Sequence, residues 1–133
     1  MAIYFLDSST VVKHCVPKQG SAWVVGITDP ASRNLLYVAR ITGAEVVSAV
    51  TRRQRRSQIT PLDSAAALGA FRRDFPSGYL VIEITAPVVA KAMELCAQCR
   101  LAGLPELTFV AADNDLNTAA AAEGLTVDDP NNH

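Results

Sequence analysis

Three acids stand where a carboxylate can be used rather than merely solvated. Asp7 directly follows the apolar run Ile3-Tyr4-Phe5-Leu6, and Asp113 follows Leu107-Thr108-Phe109-Val110 after two alanines. Each precedes a stretch of helical character. Glu45 sits early in a third helical stretch, between Ala44 and Val46, on what the spacing makes an apolar side. Carboxylates converging within about 4 Å repel by about 4 kcal/mol per pair at an effective dielectric of about 20, so they need a cation or a shared proton. Hard oxygen ligands with open positions suit Mg²⁺ or Mn²⁺. Such an ion polarises a phosphodiester and acidifies an attacking water, so phosphodiester hydrolysis is the chemistry this set would perform.

Simpler roles compete with that reading. Asp is a favoured helix N-cap, which accounts for either aspartate taken singly; their matching positions after two strands argue for more than capping. Arg52, Arg53, Arg55 and Arg56 hold four of the twelve basic side chains in a short stretch. Guanidinium groups bind phosphate well, so these four are candidate RNA-binding residues, and equally a solvated helix end that complements the dipole. Aromatic residues are only 6% of the chain, so no platform for stacking bases is visible. Cys96 and Cys99 form a C-x-x-C with no second pair, and His14 and His133 are lone, which favours buried thiols over a zinc site. Lys13 reads as a solvated end of the first helix, and Trp23 as a core or interface residue.

The elements that must position these groups follow from periodicity and punctuation. A strand over 3–6 stops at Asp7-Ser8-Ser9, which caps a helix over 10–14. A short helix over 21–27 ends at Asp29-Pro30, and 35–39 is a second strand. From Thr42, the spacing of Val46, Val47 and Val50 predicts a helix that runs out at the arginines. Pro61 opens another helix, 79–84 reads as a strand, and Pro87 opens a helix through Cys96. The last units are a strand over 107–110, a helix from Asp113 to Gly124, and an edge strand over 125–127. Short apolar strands alternating with helices make an α/β domain with a mainly parallel sheet, where the crevice at the carboxyl ends of the strands is the default site. A chain of 133 residues, half of them hydrophobic, fits one domain. The absence of a cationic leader, of any run of about 20 apolar residues, and of a dense cysteine framework points to the cytoplasm and to no membrane role. Net charge is −1, so attraction for an anionic partner must be local.

The same residues resemble a known family. Phe5-Leu6-Asp7-Ser8-Ser9 with Val11-Val12-Lys13, then Ile41-Thr42-Gly43-Ala44-Glu45-Val46-Val47-Ser48-Ala49, then Phe109-Val110-Ala111-Ala112-Asp113-Asn114-Asp115-Leu116, look like three blocks of the PIN-domain family in the same order. They span nearly the whole chain. The resemblance implies a PIN-like, Rossmann-like fold in three layers, with helices on both faces of the sheet. It also implies a metal-dependent endoribonuclease of the VapC type: the toxin of a bacterial toxin–antitoxin pair, acting on RNA, homodimeric, and silenced by a VapB-type antitoxin. Matched position by position, Asp7, Glu45 and Asp113 take the catalytic and metal-binding roles, while Ser9 and Asp115 support them.

Two departures qualify the match. Ala111 stands where the family often carries Ser or Thr. In addition, Glu94-Leu95-Cys96-Ala97-Gln98-Cys99-Arg100 runs straight into Leu101-Ala102-Gly103-Leu104-Pro105, without the helix that usually bears a further metal-site aspartate. The chain reads as though about one to two dozen residues, a helix and its loop, were missing there. Neither Glu94 nor Glu106, expected at the wrong end of its strand, replaces that acid. A degenerate, non-catalytic module that binds an antitoxin or RNA is therefore the second expectation. A phosphate-handling enzyme with Asp7 as nucleophile is a third, weakened by Ser9 where such enzymes carry another acid.

Overall fold

The computed structural model describes residues 1–91 and 107–133. The expectations about Glu94, Cys96, Cys99, Glu106 and the missing helix lie outside the described residues. In chain order the elements are β1 (Ile3–Leu6), α1 (Ser8–Cys15), α2 (Ser21–Thr28), β2 (Leu35–Ala39), α3 (Thr42–Arg55), α4 (Pro61–Gly78), β3 (Leu80–Ile82), β4 (Leu107–Val110), α5 (Asn114–Ala122) and β5 (Thr126–Asp128). Short 3-10 turns occupy Pro30–Ser32 and Pro130–Asn132, and residues 86–91 are helical.

All five strands pair in parallel, in the order β3-β2-β1-β4-β5. Parallel strands covered on both faces carry apolar runs rather than alternation, which is why IYFL and LLYVA read as strands in the sequence. The chain leaves β1 for β2 on one side and returns to β4 on the other, so the order reverses between β1 and β4. That reversal opens a crevice beyond their carboxyl ends. Leu6 pairs with Val110, so the segments after the two strands start from the same level.

The buried cluster fixes the helices above this seam. Leu6, Val38 and Val110, at or next to the ends of their strands, lie in the core, where Val11, Val12, Val46, Val50 and Phe71 meet them from α1, α3 and α4. On α3 the buried set is Thr42, Val46 and Val50, one residue every four. Thr60 caps α4 by accepting from the Asp63 amide at 3.1 Å and donating to the Asp63 carboxylate at 2.7 Å. The predicted strand over 79–84 shrinks to Leu80–Ile82 because Tyr79 ends α4 and turns its ring into the core beside Phe75. β5 begins at Thr126 rather than 125 because Gly124, at φ +79, stops α5, and the Leu125 amide closes on the Ala120 carbonyl. Among the described residues no helix is long and apolar enough to cross a membrane.

Lys13 is not solvated, as the sequence suggested, but 1% exposed. The segment after β5 folds back over α1, and the ammonium donates to the Gln19 carbonyl at 2.6 Å and to Asn131 Oδ1. Burial holds its pKa below the usual lysine value, with Asp129 opposing and Arg53 adding to the shift. Gln19 Nε2 donates to the Asn131 carbonyl at 2.7 Å, and the His133 ring stacks on Trp23 at 4.3 Å and 6°. Tyr4 meets Trp23 edge-on, so the lone tryptophan seats the chain's own carboxyl-terminal segment. Gly20, at φ +79, makes room for that segment; a Cβ there would lie 1.8 Å from the Pro130 carbonyl oxygen.

Two outcomes follow for stability. Gly20→Ala should lower the free energy of unfolding by roughly 2 kcal/mol, since the left-handed conformation alone costs about 1–2 kcal/mol in an L-residue and the clash adds to it. A urea midpoint equal to wild type would show that Pro130 does not rest there. In the last turn of α1, His14 Nδ1 lies 3.1 Å from the Tyr79 hydroxyl, and burial holds the imidazole below its usual value of 6.5 despite Asp74. Its folded pKa is depressed, so the neutral ring is favoured in the fold. This group destabilises the protein as pH falls through 6.5 toward the folded value. The fall in urea midpoint between about pH 7.5 and about pH 5 should be smaller in His14→Gln than in wild type.

Candidate functional site

The seam between β1 and β4 sets two aspartates just beyond the ends of neighbouring strands. The Asp7 amide donates to the Val110 carbonyl at 3.2 Å, carrying the ladder one step past the strands. Asp7 caps α1: its Oδ1 accepts from the Thr10 amide at 3.0 Å, from Ser9 Oγ at 2.8 Å and from Thr10 Oγ1 at 3.0 Å. The Ser9 hydroxyl also accepts from the Ala112 amide at 2.8 Å, so one side chain spans the end of β1 and the loop after β4. Thr10 Oγ1, fully buried, lies 2.9 Å from the Val110 carbonyl and shares its single proton between that oxygen and Asp7.

Asp113 repeats the pattern on β4. It caps α5, its Oδ1 accepting from the Asp115 and Leu116 amides at 3.0 Å each. Among the described residues, Oδ2 of Asp7 and Oδ2 of Asp113 have no hydrogen-bond partner. Both aspartates are thus caps through one oxygen and free through the other. Asp115 contributes its backbone amide to Asp113 while its own side chain is exposed.

Sequence reasoning missed Asn117. Its Nδ2 donates to the Ala111 carbonyl at 2.9 Å and pins the β4–α5 loop, while its Oδ1 is buried with no partner. A buried acceptor without a donor calls for water or a cation. No pattern in the sequence separates this asparagine from an ordinary helical one.

Glu45 departs from the expectation of an apolar surrounding. It lies in the first turn of α3, where an acid complements the helix dipole, and is exposed. The buried stripe runs through Thr42, Val46 and Val50, and one residue of helix is about 100° of rotation, which carries Glu45 off that stripe into the open. It faces a cavity of about 670 Å³ between α1 and α3, shared with Ser8, Ser9, Lys18 and three arginines. Arg52, Arg53 and Arg56 line this cavity; Arg55 does not. Lys18, from the loop between α1 and α2, was not singled out from sequence. It has no periodicity cue and meets α3 only when α1 and α3 pack together.

The donor chemistry suits a hard divalent cation. Two free carboxylate oxygens stand at the switch point, and Mg²⁺ is commonly held by one or two carboxylates while keeping several waters. Among the described residues no group of three or more His, Cys, Asp and Glu is close enough to hold a metal ion. The structure therefore brings Asp7 and Asp113 to one seam and leaves Glu45 on a neighbouring wall.

No family model matches the sequence, and no curated protein does. The chain is similar in structure to a chain of the crystal structure of VapBC2 from Rickettsia felis bound to a DNA fragment from their promoter. That likeness has 16% identity and a TM-score of 0.56, and covers 96% of this chain and 98% of that one. At that identity the likeness is one of fold. It bears out the PIN-like, Rossmann-like α/β architecture, with the sheet parallel throughout rather than mainly so.

The Ser9 bridge makes a direct prediction. Ser9→Ala leaves the Ala112 amide without its acceptor and removes one donor from Asp7, at a cost of about 1–3 kcal/mol in stability. Hydrogen exchange at the Ala112 amide should accelerate in the variant; unchanged protection would show that the bridge is not formed.

Proposed function

We propose that the chain is a metal-dependent endoribonuclease of the VapC type that hydrolyses RNA phosphodiester bonds as the toxin of a toxin–antitoxin pair. The observation that carries this reading is the matched pair of aspartates at the β1–β4 switch point, each fixed through Oδ1 and open through Oδ2. Asp7 and Asp113 would hold Mg²⁺ or Mn²⁺ directly or through its waters, and Glu45 supplies a further carboxylate facing the adjoining cavity. When bound, the ion contributes positive charge against the phosphate and an acidified water.

The protein's own part is orientation. Three donors on Asp7 Oδ1 restrict the carboxylate to one rotamer, so the free oxygen needs no reordering when a cation arrives. Ser9 holds Asp7 and the β4–α5 loop at a fixed separation, which keeps the two acids in register. The fold shared with a VapBC2 chain supports an antitoxin of the VapB type as partner, and homodimer formation and a cytoplasmic setting belong to the same reading.

Purified chain, freed of any co-purifying antitoxin, should cut RNA in Mg²⁺ or Mn²⁺ and stop when the metal is chelated. Asp7→Asn and Asp113→Asn should each lose about 100-fold or more in rate, the order of effect for removing one charge-stabilising group. Cleavage that persists in excess chelator, or in Asp7→Asn, would sink the proposal. A wild-type chain that binds its partner and RNA yet cuts nothing would assign the non-catalytic role instead.

A further inference from the structure

We propose that the cavity between α1 and α3 is a phosphate-backbone subsite, built by Lys18, Arg52, Arg53 and Arg56. It would hold the sugar-phosphate backbone of a single strand of RNA beside the proposed cleavage site. This rests on the ribonuclease reading above and adds where the strand's backbone lies.

The side chains are arranged for it. On α3, Glu45, Ser48, Ala49, Arg52, Arg53 and Arg56 recur at steps of three, four and seven, so they form one stripe along the helix, and all of them line the cavity. Lys18 faces this stripe from the loop after α1. The lining thus holds four cations against one acid, Glu45, in a chain whose net charge is −1. None of the four has an ion-pair partner among the described residues. Their charges weigh on one another: burial holds the Lys18 pKa down, Arg53 and Lys13 press it further, and Asp7 opposes them. The fold therefore gathers cations without a counter-charge, which an anion would supply.

Helix-dipole complementation cannot explain the pattern by itself. It would favour all the arginines at the end of α3 alike, yet Arg55 lies off the cavity while its three neighbours line it. Among the described residues no aromatic side chain lines the cavity, so the grip is on backbone rather than on stacked bases. Glu45, at the end of the stripe nearer the start of α3, repels phosphate and leaves the arginines as the strand's resting place. Seven residues from Glu45 to Arg52 are about two turns, or about 10 Å along the axis, so the arginines stand well away from the one acid of the lining.

The test uses the full-length Asp7→Asn chain in chelator, with binding of a fluorescent oligouridylate followed as salt is raised. The slope of log affinity against log salt should shrink by about 0.7 for each phosphate contact removed. Lys18→Ala should lose about that amount, and the triple variant of Arg52→Ala, Arg53→Ala and Arg56→Ala about 2. Arg55→Ala, with the same charge on the same helix, should keep the wild-type slope. If the triple variant does not fold, Arg52→Gln and Lys18→Gln singly read the same quantity. An unchanged slope in these variants, or an equal loss in Arg55→Ala, overturns the subsite. Tighter binding of polyglutamate of matched charge would overturn it in favour of an acidic protein segment. Failure of the ribonuclease reading looks different: wild type without metal-dependent cleavage, with these slopes intact.

Discussion

The hydrogen bonds that join the end of β1 to the end of β4 are the constraint on which the rest of the site depends. Asp7 gives its amide to Val110, and Ser9 takes the amide of Ala112 while giving its proton to Asp7. Those bonds set the register of the two central strands one residue beyond the sheet and fix where α1 and α5 begin. Because both helices start there, both need a cap, and in each an aspartate provides it with one oxygen only. Capping and ligand binding are therefore not rival explanations of Asp7 and Asp113. The cap orders the carboxylate, and an ordered carboxylate is the better ligand.

A second consequence concerns charge. The chain carries nearly balanced charge overall, but the fold separates it around the crevice. Among the described residues, acceptor oxygens without donors lie near the β1–β4 seam: Oδ2 of Asp7, Oδ2 of Asp113, and Asn117 Oδ1 at the foot of the same loop. Cations with no counter-ion among the described residues gather along α3 and at Lys18. Of these acceptors only Asn117 Oδ1 is buried, where an unmet acceptor costs about 1–3 kcal/mol, while the Asp113 carboxylate is exposed to water. The two groups differ in sign, with carboxylates at the seam and guanidinium groups along the helix.

Much of this was legible in the sequence because the signals were local. Strands β1, β2 and β4 and the first residues of α3 and α4 could be read directly, since each apolar run ends at an acid, a small residue or a proline. Asp7 and Asp113 stood out for the same reason. The failures were not local. Lys13 looked solvated because the residue that covers it, Asn131, is 118 positions away. Lys18 and Asn117 acquire meaning only from packing between elements distant in sequence. Glu45 was misjudged by one angular step around α3, a distinction that flanking apolar residues do not encode.

The carboxyl-terminal segment links these observations to the site. Buried Lys13 lies on the same helix that Asp7 caps, and its ammonium is held by Gln19 and Asn131 rather than by a paired carboxylate. Two backbone and side-chain carbonyl acceptors compensate a buried ammonium only partly, which is why its pKa is driven down. The loop carrying Gln19 also carries Lys18, so the contacts that seat residues 130–133 on Gly20 and Trp23 also set where Lys18 stands relative to α3. The position of one wall of the basic cavity is thus tied to the docking of the chain's last turn.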